Sequence, residues 1–144
     1  MHFVTGGAFH GKAKWVMDTY SASRKMEGWC NLYDAVCPEA EEFKFKTSLV
    51  VIEGMEQLVK KVVQENEKGT REVLKKNLQA WLKWESEVPG RQLVLIGTDI
   101  GKGIVPMEEE NRRWRDVSGW FFQDAAMAAE KVHVVWYGME QTIK

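Results

Sequence analysis

The sequence predicts a three-layer α/β fold with a mainly parallel sheet, formed as a single domain over residues 1–144. Three observations support this. Short apolar runs alternate with segments of helical spacing, the central runs are rich in β-branched residues, and no linker, repeat or low-complexity tract interrupts the chain. Continuous β-branched runs are typical of strands that are buried on both faces of a parallel sheet. Their alternation with helices favours right-handed crossovers that cover both faces.

The first half of the chain predicts two strands, one helix and an irregular connection. Residues 3–5 form a short apolar strand, residues 6–11 a glycine-rich turn, and a helix begins at Lys12. Residues 28–42 show no clean period and predict an irregular connection. Residues 48–52 (Ser-Leu-Val-Val-Ile) form the second strand.

The second half predicts three helices and further strands. Apolar residues at i, i+3, i+4, i+7 and i+8 from Met55 form one helix stripe, and Thr70 is expected to cap the next helix. A long amphipathic helix follows the acidic residues 108–110, which suit a helix N-terminus. The remaining strands are expected at residues 92–96, at residues 132–137 and, as a short fifth strand, at residues 141–143.

Composition excludes several function classes. The net charge is −1, which gives no basic excess for nucleic acid. No apolar run approaches the roughly 20 residues that cross a bilayer, and the N-terminus lacks a signal-peptide layout. The three histidines are scattered, and Cys30 and Cys37 are expected to be inert thiols, with pairing as the alternative. We therefore expect a cytoplasmic protein that binds neither nucleic acid nor membrane.

A phosphate-binding loop is the clearest motif. The segment at positions 6–12 fits G-x-x-x-x-G-K, follows an apolar strand directly and opens a helix, as this motif requires. Small residues let backbone N–H groups surround a phosphate, and the helix presents its positive N-terminal end. The alternative is a plain glycine turn between a strand and a helix. The expected phosphate-binding residues are Gly6, Gly7, Ala8, Phe9, His10, Gly11, Lys12 and Ala13.

Two positions bear on catalysis and on magnesium. Lys12 is expected to neutralise phosphate oxygens and to stabilise the transferring charge, so it is the candidate catalytic residue. Ala13 stands where a Ser or Thr hydroxyl would ligate Mg²⁺, which argues against metal-assisted transfer by the usual route. Glu53 ends the second strand and is the candidate Mg²⁺ ligand, with a solvated strand end as the equal alternative.

Other charged residues are weaker candidates for ligand binding. Asp99 follows the third predicted strand at the carboxyl edge, where parallel α/β sheets bind ligands, although a turn-forming Asp is an equal interpretation. Arg113, with Arg112 and Arg115, is a candidate for binding phosphate or for crossing a subunit interface. A solvated helix face is the slightly favoured alternative for these arginines.

Two segments of the chain resemble one known family. The opening Val4-Thr5-Gly6-Gly7-Ala8, with Gly11-Lys12, is similar to V-T-G-G-A-R-S-G-K-S, the start of the bifunctional adenosylcobinamide kinase/adenosylcobinamide-phosphate guanylyltransferase family. The C-terminal third resembles that family's E-V-G-x-G-I-V-P, R-x-F-R-D, G-x-x-N-Q, A-D-x-V and V-x-x-G in order and at near-identical spacing. The matching residues are Asp99-Ile100-Gly101, Gly103-Ile104-Val105-Pro106, Arg113-Trp114-Arg115-Asp116, Gly119, Gln123, Ala128-Ala129-Glu130 and positions 132–138.

The resemblance implies a RecA-like P-loop domain that binds ATP or GTP, phosphorylates adenosylcobinamide and assembles as a homotrimer. The family's second reaction, GMP transfer through a guanylylated histidine, requires a segment that has no counterpart here, since positions 20–42 contain no histidine. The resemblance therefore favours an adenosylcobinamide kinase-like protein of cobalamin (vitamin B12) biosynthesis without guanylyl transfer. Two alternatives stay open: a catalytically inactive nucleotide sensor or scaffold, and a P-loop kinase for another small alcohol.

Overall fold

The computed structural model describes residues 1–34 and 43–144, which form six strands and four helices. The elements in chain order are β1 (His2–Gly6), α1 (Lys12–Tyr20), β2 (Trp29–Asn31), β3 (Leu49–Glu53), α2 (Met55–Glu65), α3 (Thr70–Glu87), β4 (Gln92–Thr98), α4 (Glu109–Ala128), β5 (Lys131–Trp136) and β6 (Met139–Thr142). Strands and helices therefore alternate as the sequence predicts, and the α/β class is confirmed.

The strands form a single sheet in the order β2-β3-β4-β1-β5-β6. The first five strands are parallel, and β6 pairs antiparallel with β5. The β5–β6 turn has positive φ at both Tyr137 and Gly138, which is the conformation that a two-residue hairpin turn needs to match strand twist. A mainly parallel sheet with one antiparallel edge strand agrees with the prediction.

Helices cover both faces of the sheet, which gives three layers. On one face, Phe3, Ile52 and Leu95 pack with the apolar stripes of α2, α3 and α4 in the larger core. On the other face, Val4 and Val94 pack against α1 through Val16 in a smaller core. Neighbouring strand residues thus enter opposite cores, and this explains why the strands read as continuous apolar runs.

Two local predictions differ from the structure. The three-residue strand β2 lies within the segment that was expected to be irregular. Gly69, with a φ of 76°, occupies the N-cap position of α3, whereas Thr70 is the first helical residue and donates its hydroxyl to the Asn66 carbonyl at 3.4 Å. The predicted Thr70 cap is therefore wrong, because Gly69 adopts the left-handed conformation at no steric cost. A pairing of Cys30 with Cys37 concerns a residue outside the described ones.

None of the helices in the described part of the chain is both long enough and apolar enough to span a bilayer.

Candidate phosphate-binding site

The carboxyl ends of four parallel strands meet at one edge of the sheet and form a cavity. Register places Gly6 of β1 beside Thr98 of β4, and Glu53 of β3 beside Asn31 of β2. The cavity at this edge has a volume of about 740 Å³. Its lining comes from the phosphate loop, α1, the strand ends and the first turns of the neighbouring helices. This is the edge where open α/β sheets bind ligands.

The phosphate loop, residues 6–13, joins β1 to α1 along the wall of this cavity. Gly6 has a φ of 143°, and an added Cβ would lie 2.2 Å from the Val135 carbonyl oxygen, so only glycine fits there. Gly11 has a φ of 87° and is the N-cap of α1, so the helix begins directly at the cavity. Gly6 and Gly11 are therefore required by the backbone path, which places a helix N-terminus where a phosphate can approach.

Lys12 is the central cation of the loop. Its side chain is buried, lines the cavity and donates from Nζ to the Gly7 carbonyl oxygen at 2.7 Å. Burial lowers the pKa of this ammonium, while the nearby carboxylates of Glu56, Glu53 and Asp99 oppose the shift. These carboxylates favour the charged form of Lys12, which is the form that binds phosphate.

Glu53 ends β3 with its carboxylate held by two partners. Arg24 donates from Nε to Oε2 at 2.9 Å and from Nη2 to Oε1, in a bidentate pair. The buried indole Nε1 of Trp29 donates to the same Oε2 at 3.0 Å. The hydrogen bonds that Arg24 donates to Glu53 raise the pKa of its guanidinium, which stays cationic. The sequence predicts Glu53 as a metal ligand, whereas the structure gives this carboxylate to a guanidinium.

A second carboxylate, Glu56, is buried in the first turn of α2. It accepts hydrogen bonds from the Tyr33 hydroxyl and, at 2.8 Å, from the Thr98 backbone N–H. Burial and the bond to Glu56 raise the pKa of Tyr33 to about 12, so this phenol remains a donor near neutral pH. The network links β4, α2 and the segment after β2 at the floor of the cavity.

The residues present do not fit Mg²⁺. Ala13 has no hydroxyl, Oε2 of Glu53 accepts two donors, and the guanidinium of Arg24 occupies the neighbouring position. Within residues 1–34 and 43–144, no group of three or more His, Cys, Asp or Glu side chains is arranged to hold a metal ion. Beside phosphate and water oxygens, Mg²⁺ in a P-loop site takes a hydroxyl after the lysine and a carboxylate, and here the hydroxyl is missing and the carboxylate is paired with Arg24.

The structure also shows where the predicted loop residues and Asp99 lie. Of the loop residues, Ala8 to Ala13 line the cavity, with Phe9 fully exposed at the tip, whereas Gly6 and Gly7 shape the turn behind it. Asp99 forms a turn, because its Oδ1 accepts the Gly101 N–H at 2.8 Å. Its carboxylate still acts on Lys12 electrostatically.

Arg113 is not among the residues that line the cavity. Its Nη2 donates to the carbonyl oxygens of Asn66 at 2.5 Å and Glu67 at 2.6 Å, and to the Thr70 hydroxyl at 2.8 Å. Arg113 thus closes the turn between α2 and α3, and its donors are engaged in the fold. The structure does not bring Arg113 and the phosphate loop together.

The loop is also fixed to the β5–β6 hairpin. The Gly138 N–H donates to the His10 carbonyl oxygen at 2.9 Å, and the His10 ring stacks on Tyr137 with ring centroids 4.6 Å apart. The same ring meets Trp136 edge-on at 4.3 Å. These contacts use the His10 side chain for packing, which holds the loop in place before a ligand arrives.

Sequence reasoning missed three side chains of this site, namely Arg24, Tyr33 and Glu56. Arg24 and Tyr33 lie in segments without a periodic pattern, and only the folded sheet brings them to Glu53 and Glu56. Glu56 had a weak local signal, since it is the second acidic residue within four positions after an apolar strand.

Comparison with known proteins assigns the family. A family model described as Cobinamide kinase / cobinamide phosphate guanyltransferase matches residues 21–143, well over half of the chain. The chain belongs to this family. The matched region includes β2, β3, α2–α4 and the β5–β6 hairpin, and the family resemblance seen in the sequence is confirmed. The match begins after α1, so the phosphate loop is assigned on its own pattern and geometry.

A curated relative gives the same result over a shorter stretch. The protein named "Bifunctional adenosylcobalamin biosynthesis protein CobP" of Pseudomonas aeruginosa is 35% identical to this chain over 66 residues. The matched stretch covers 46% of this chain and 38% of that relative. The chain therefore spans well under two thirds of the length of the relative that it matches.

Proposed function

We propose that this chain binds the phosphates of ATP or GTP in the cavity beside α1, as a nucleotide-binding, adenosylcobinamide kinase-like protein of cobalamin biosynthesis. The observation that carries the proposal is the phosphate loop itself. A strand, a turn that only glycine can form at Gly6 and a helix start at Gly11 bring Lys12 into a cavity of about 740 Å³. Family membership supports the same activity class.

In the proposed complex, Lys12 exchanges the Gly7 carbonyl oxygen for phosphate oxygens. The N-terminus of α1 adds positive potential on the same side, and Arg24 lines the cavity on another. Electrostatic stabilisation by preorganised cations is the main contribution that a protein makes to phosphoryl transfer. Lys12 would therefore both bind the nucleotide and stabilise the charge on the transferring group.

Guanylyl transfer through a histidine receives no support from the geometry. His10 is the one histidine among the described residues that line the cavity, and its ring is packed between Trp136 and Tyr137. His2 begins β1, at the opposite end of that strand from the loop, and His133 is its hydrogen-bonded neighbour. We therefore propose the kinase half of the family activity alone.

The test is isothermal titration of the protein with ATP and with GTP, using Lys12→Ala and the control Lys83→Ala. Lys83 lies on α3 with its side chain 77% exposed, outside the cavity. Loss of a charge-assisted phosphate contact should weaken binding about tenfold or more in Lys12→Ala and leave Lys83→Ala unchanged. Equal affinity in Lys12→Ala and the wild type would refute the proposal.

A second candidate function, nucleotide binding without phosphoryl transfer, is favoured by Ala13 and by the capture of Glu53 by Arg24. A turnover assay separates the two functions. It measures phosphate transfer from radiolabelled ATP or GTP to adenosylcobinamide, with other small alcohols as alternative acceptors. Transfer supports the kinase, whereas saturable binding without transfer to any acceptor supports a sensor or scaffold.

A further inference from the structure

We propose that Arg24 takes the place of a metal ion in this cavity, so that the chain binds nucleotide phosphate without Mg²⁺. This inference rests on the proposed nucleotide site and concerns how the site neutralises charge. In most P-loop sites a hydroxyl after the lysine and a carboxylate at a strand end hold the metal between them. Here Ala13 replaces the hydroxyl residue, and the strand-end carboxylate of Glu53 is paired with Arg24.

The carboxylate of Glu53 is paired with Arg24 and is therefore not free to bind a metal ion. This carboxylate is buried, with 6% of its surface exposed, and a buried carboxylate needs a paired cation. Arg24 supplies that cation through two parallel hydrogen bonds, and Trp29 adds a third donor. Bidentate guanidinium–carboxylate pairs are strong and geometrically specific. A metal ion would have to displace Arg24 to reach Glu53.

The metal-binding hydroxyl that usually follows the lysine is also missing. Ala13 is the residue after Lys12, and its methyl group offers no oxygen to a metal. Glu56, the other buried carboxylate of the cavity, is engaged by the Tyr33 hydroxyl and by the Thr98 N–H. A divalent cation placed beside Arg24 would also meet like charge.

Arg24 keeps hydrogen-bond donors that its pair with Glu53 does not use. The guanidinium has five N–H donors, of which the pair with Glu53 uses one on Nε and one on Nη2. The side chain is 52% exposed and lines the cavity that Lys12 also lines. Arg24 can therefore donate to a phosphate oxygen from its remaining edge while it stays paired with Glu53.

The experiment compares ATP and GTP affinities by titration in excess EDTA and in excess Mg²⁺. The wild type should bind about equally in both conditions, or more weakly with Mg²⁺. The double variant Arg24→Gln/Glu53→Gln removes both charges together, so no unpaired buried charge remains to unfold the chain. Its affinity in EDTA should fall about tenfold or more, because a charged donor to phosphate is lost.

A matched control comes from a second bidentate pair. Arg71 and Asp124 bond at 3.1 and 2.9 Å between α3 and α4, outside the cavity. Arg71→Gln/Asp124→Asn removes an equivalent ion pair and should leave nucleotide affinity unchanged in both conditions. Circular dichroism of each variant verifies that it is folded before titration.

A third variant tests the cause. Arg24→Gln/Ala13→Ser frees Glu53 and restores a hydroxyl after Lys12, so Mg²⁺ should now tighten binding about tenfold or more. Wild-type binding that requires Mg²⁺, or full affinity of Arg24→Gln/Glu53→Gln in EDTA, would overturn the inference. A third variant that gains nothing from Mg²⁺ would show that these residues do not exclude the metal. Absence of nucleotide binding in every condition would instead refute the proposed function.

Discussion

The chain contains a buried histidine whose titration should make its stability depend on pH. His2 is 3% exposed, and both of its ring nitrogens are engaged. Nδ1 lies 2.5 Å from the Tyr20 hydroxyl, and Nε2 lies 2.6 Å from Nδ1 of His133. Burial, and then the charges of His133, Lys131 and the N-terminus, lower the pKa of His2 from 6.5 to about 4.

The direction of the effect follows from proton linkage. Because the pKa of His2 is lower in the folded state, the unfolded state binds more protons between about pH 6.5 and pH 4. The free energy of unfolding therefore falls as the pH decreases through this range. Integration between pH 7.5 and pH 4.5 gives a loss of about 2 to 3 kcal/mol from His2 alone. Above about pH 7 the contribution is constant, since His2 is neutral in both states.

Urea denaturation of the wild type and of His2→Gln at pH 7.5, 6.5, 5.5 and 4.5 measures this contribution. Glutamine keeps a polar side chain but has no proton to gain, and the other titrating groups are common to both proteins. The difference between the two free energies of unfolding should change by about 2 to 3 kcal/mol over the range, with the wild type losing more. Parallel pH profiles would refute the assignment of a depressed pKa to His2.

Two further predictions concern the fold around the site and can be measured by the same denaturation assay. Gly6→Ala adds a Cβ 2.2 Å from the Val135 carbonyl oxygen at a φ of 143°, so it should lower the free energy of unfolding by about 3 kcal/mol or more. Gly90→Ala has open space around the added Cβ and should lower it by about 1 kcal/mol. A similar loss in both variants would contradict the steric argument. Arg113→Met should lower the free energy of unfolding by about 2 to 3 kcal/mol, because the carbonyl oxygens at the α2–α3 turn lose their hydrogen-bond donor. Its nucleotide affinity should be unchanged. Weakened nucleotide binding in folded Arg113→Met would show that Arg113 contributes to the site. The control is Arg112→Met, because the guanidinium of Arg112 also donates to backbone carbonyls, those of Pro106 and Met107, but in an exposed position.

Much of the fold was predictable because its signals are local. Strands β1, β3, β4 and β5 are apolar runs, and their neighbouring residues enter opposite cores, so periodicity and composition agree. Strand β2 was not predictable, because three residues are too few for a period and its pairing with β3 is set by the sheet. The Thr70 cap failed for a related reason, since the left-handed conformation of Gly69 decides the helix start.

For the same reason, some residues of the site could be predicted from the sequence and others could not. The phosphate loop is contiguous, so its residues and the helix that follows them could be predicted from positions 6–13. The partners of Glu53 could not be predicted, because Arg24 is 29 residues away and reaches it through the order of β2 and β3 in the sheet. Sequence spacing identified Glu53 as an acidic strand end and a candidate metal ligand, and only the tertiary structure shows that its carboxylate is paired with the Arg24 guanidinium.

The three unusual features of the cavity are physically coupled. Without a hydroxyl at position 13, a metal ion would lose one anchor, and the buried Glu53 would then carry an uncompensated charge whenever the metal was absent. Arg24 removes that cost permanently, because the guanidinium is covalently part of the chain and its pKa is raised further by Glu53. The same pair gives the cavity a fixed cation beside Lys12 at any metal concentration. Ala13, Glu53 and Arg24 thus form one consistent electrostatic arrangement, and changing Arg24 or Glu53 alone should cost more stability than changing these two together.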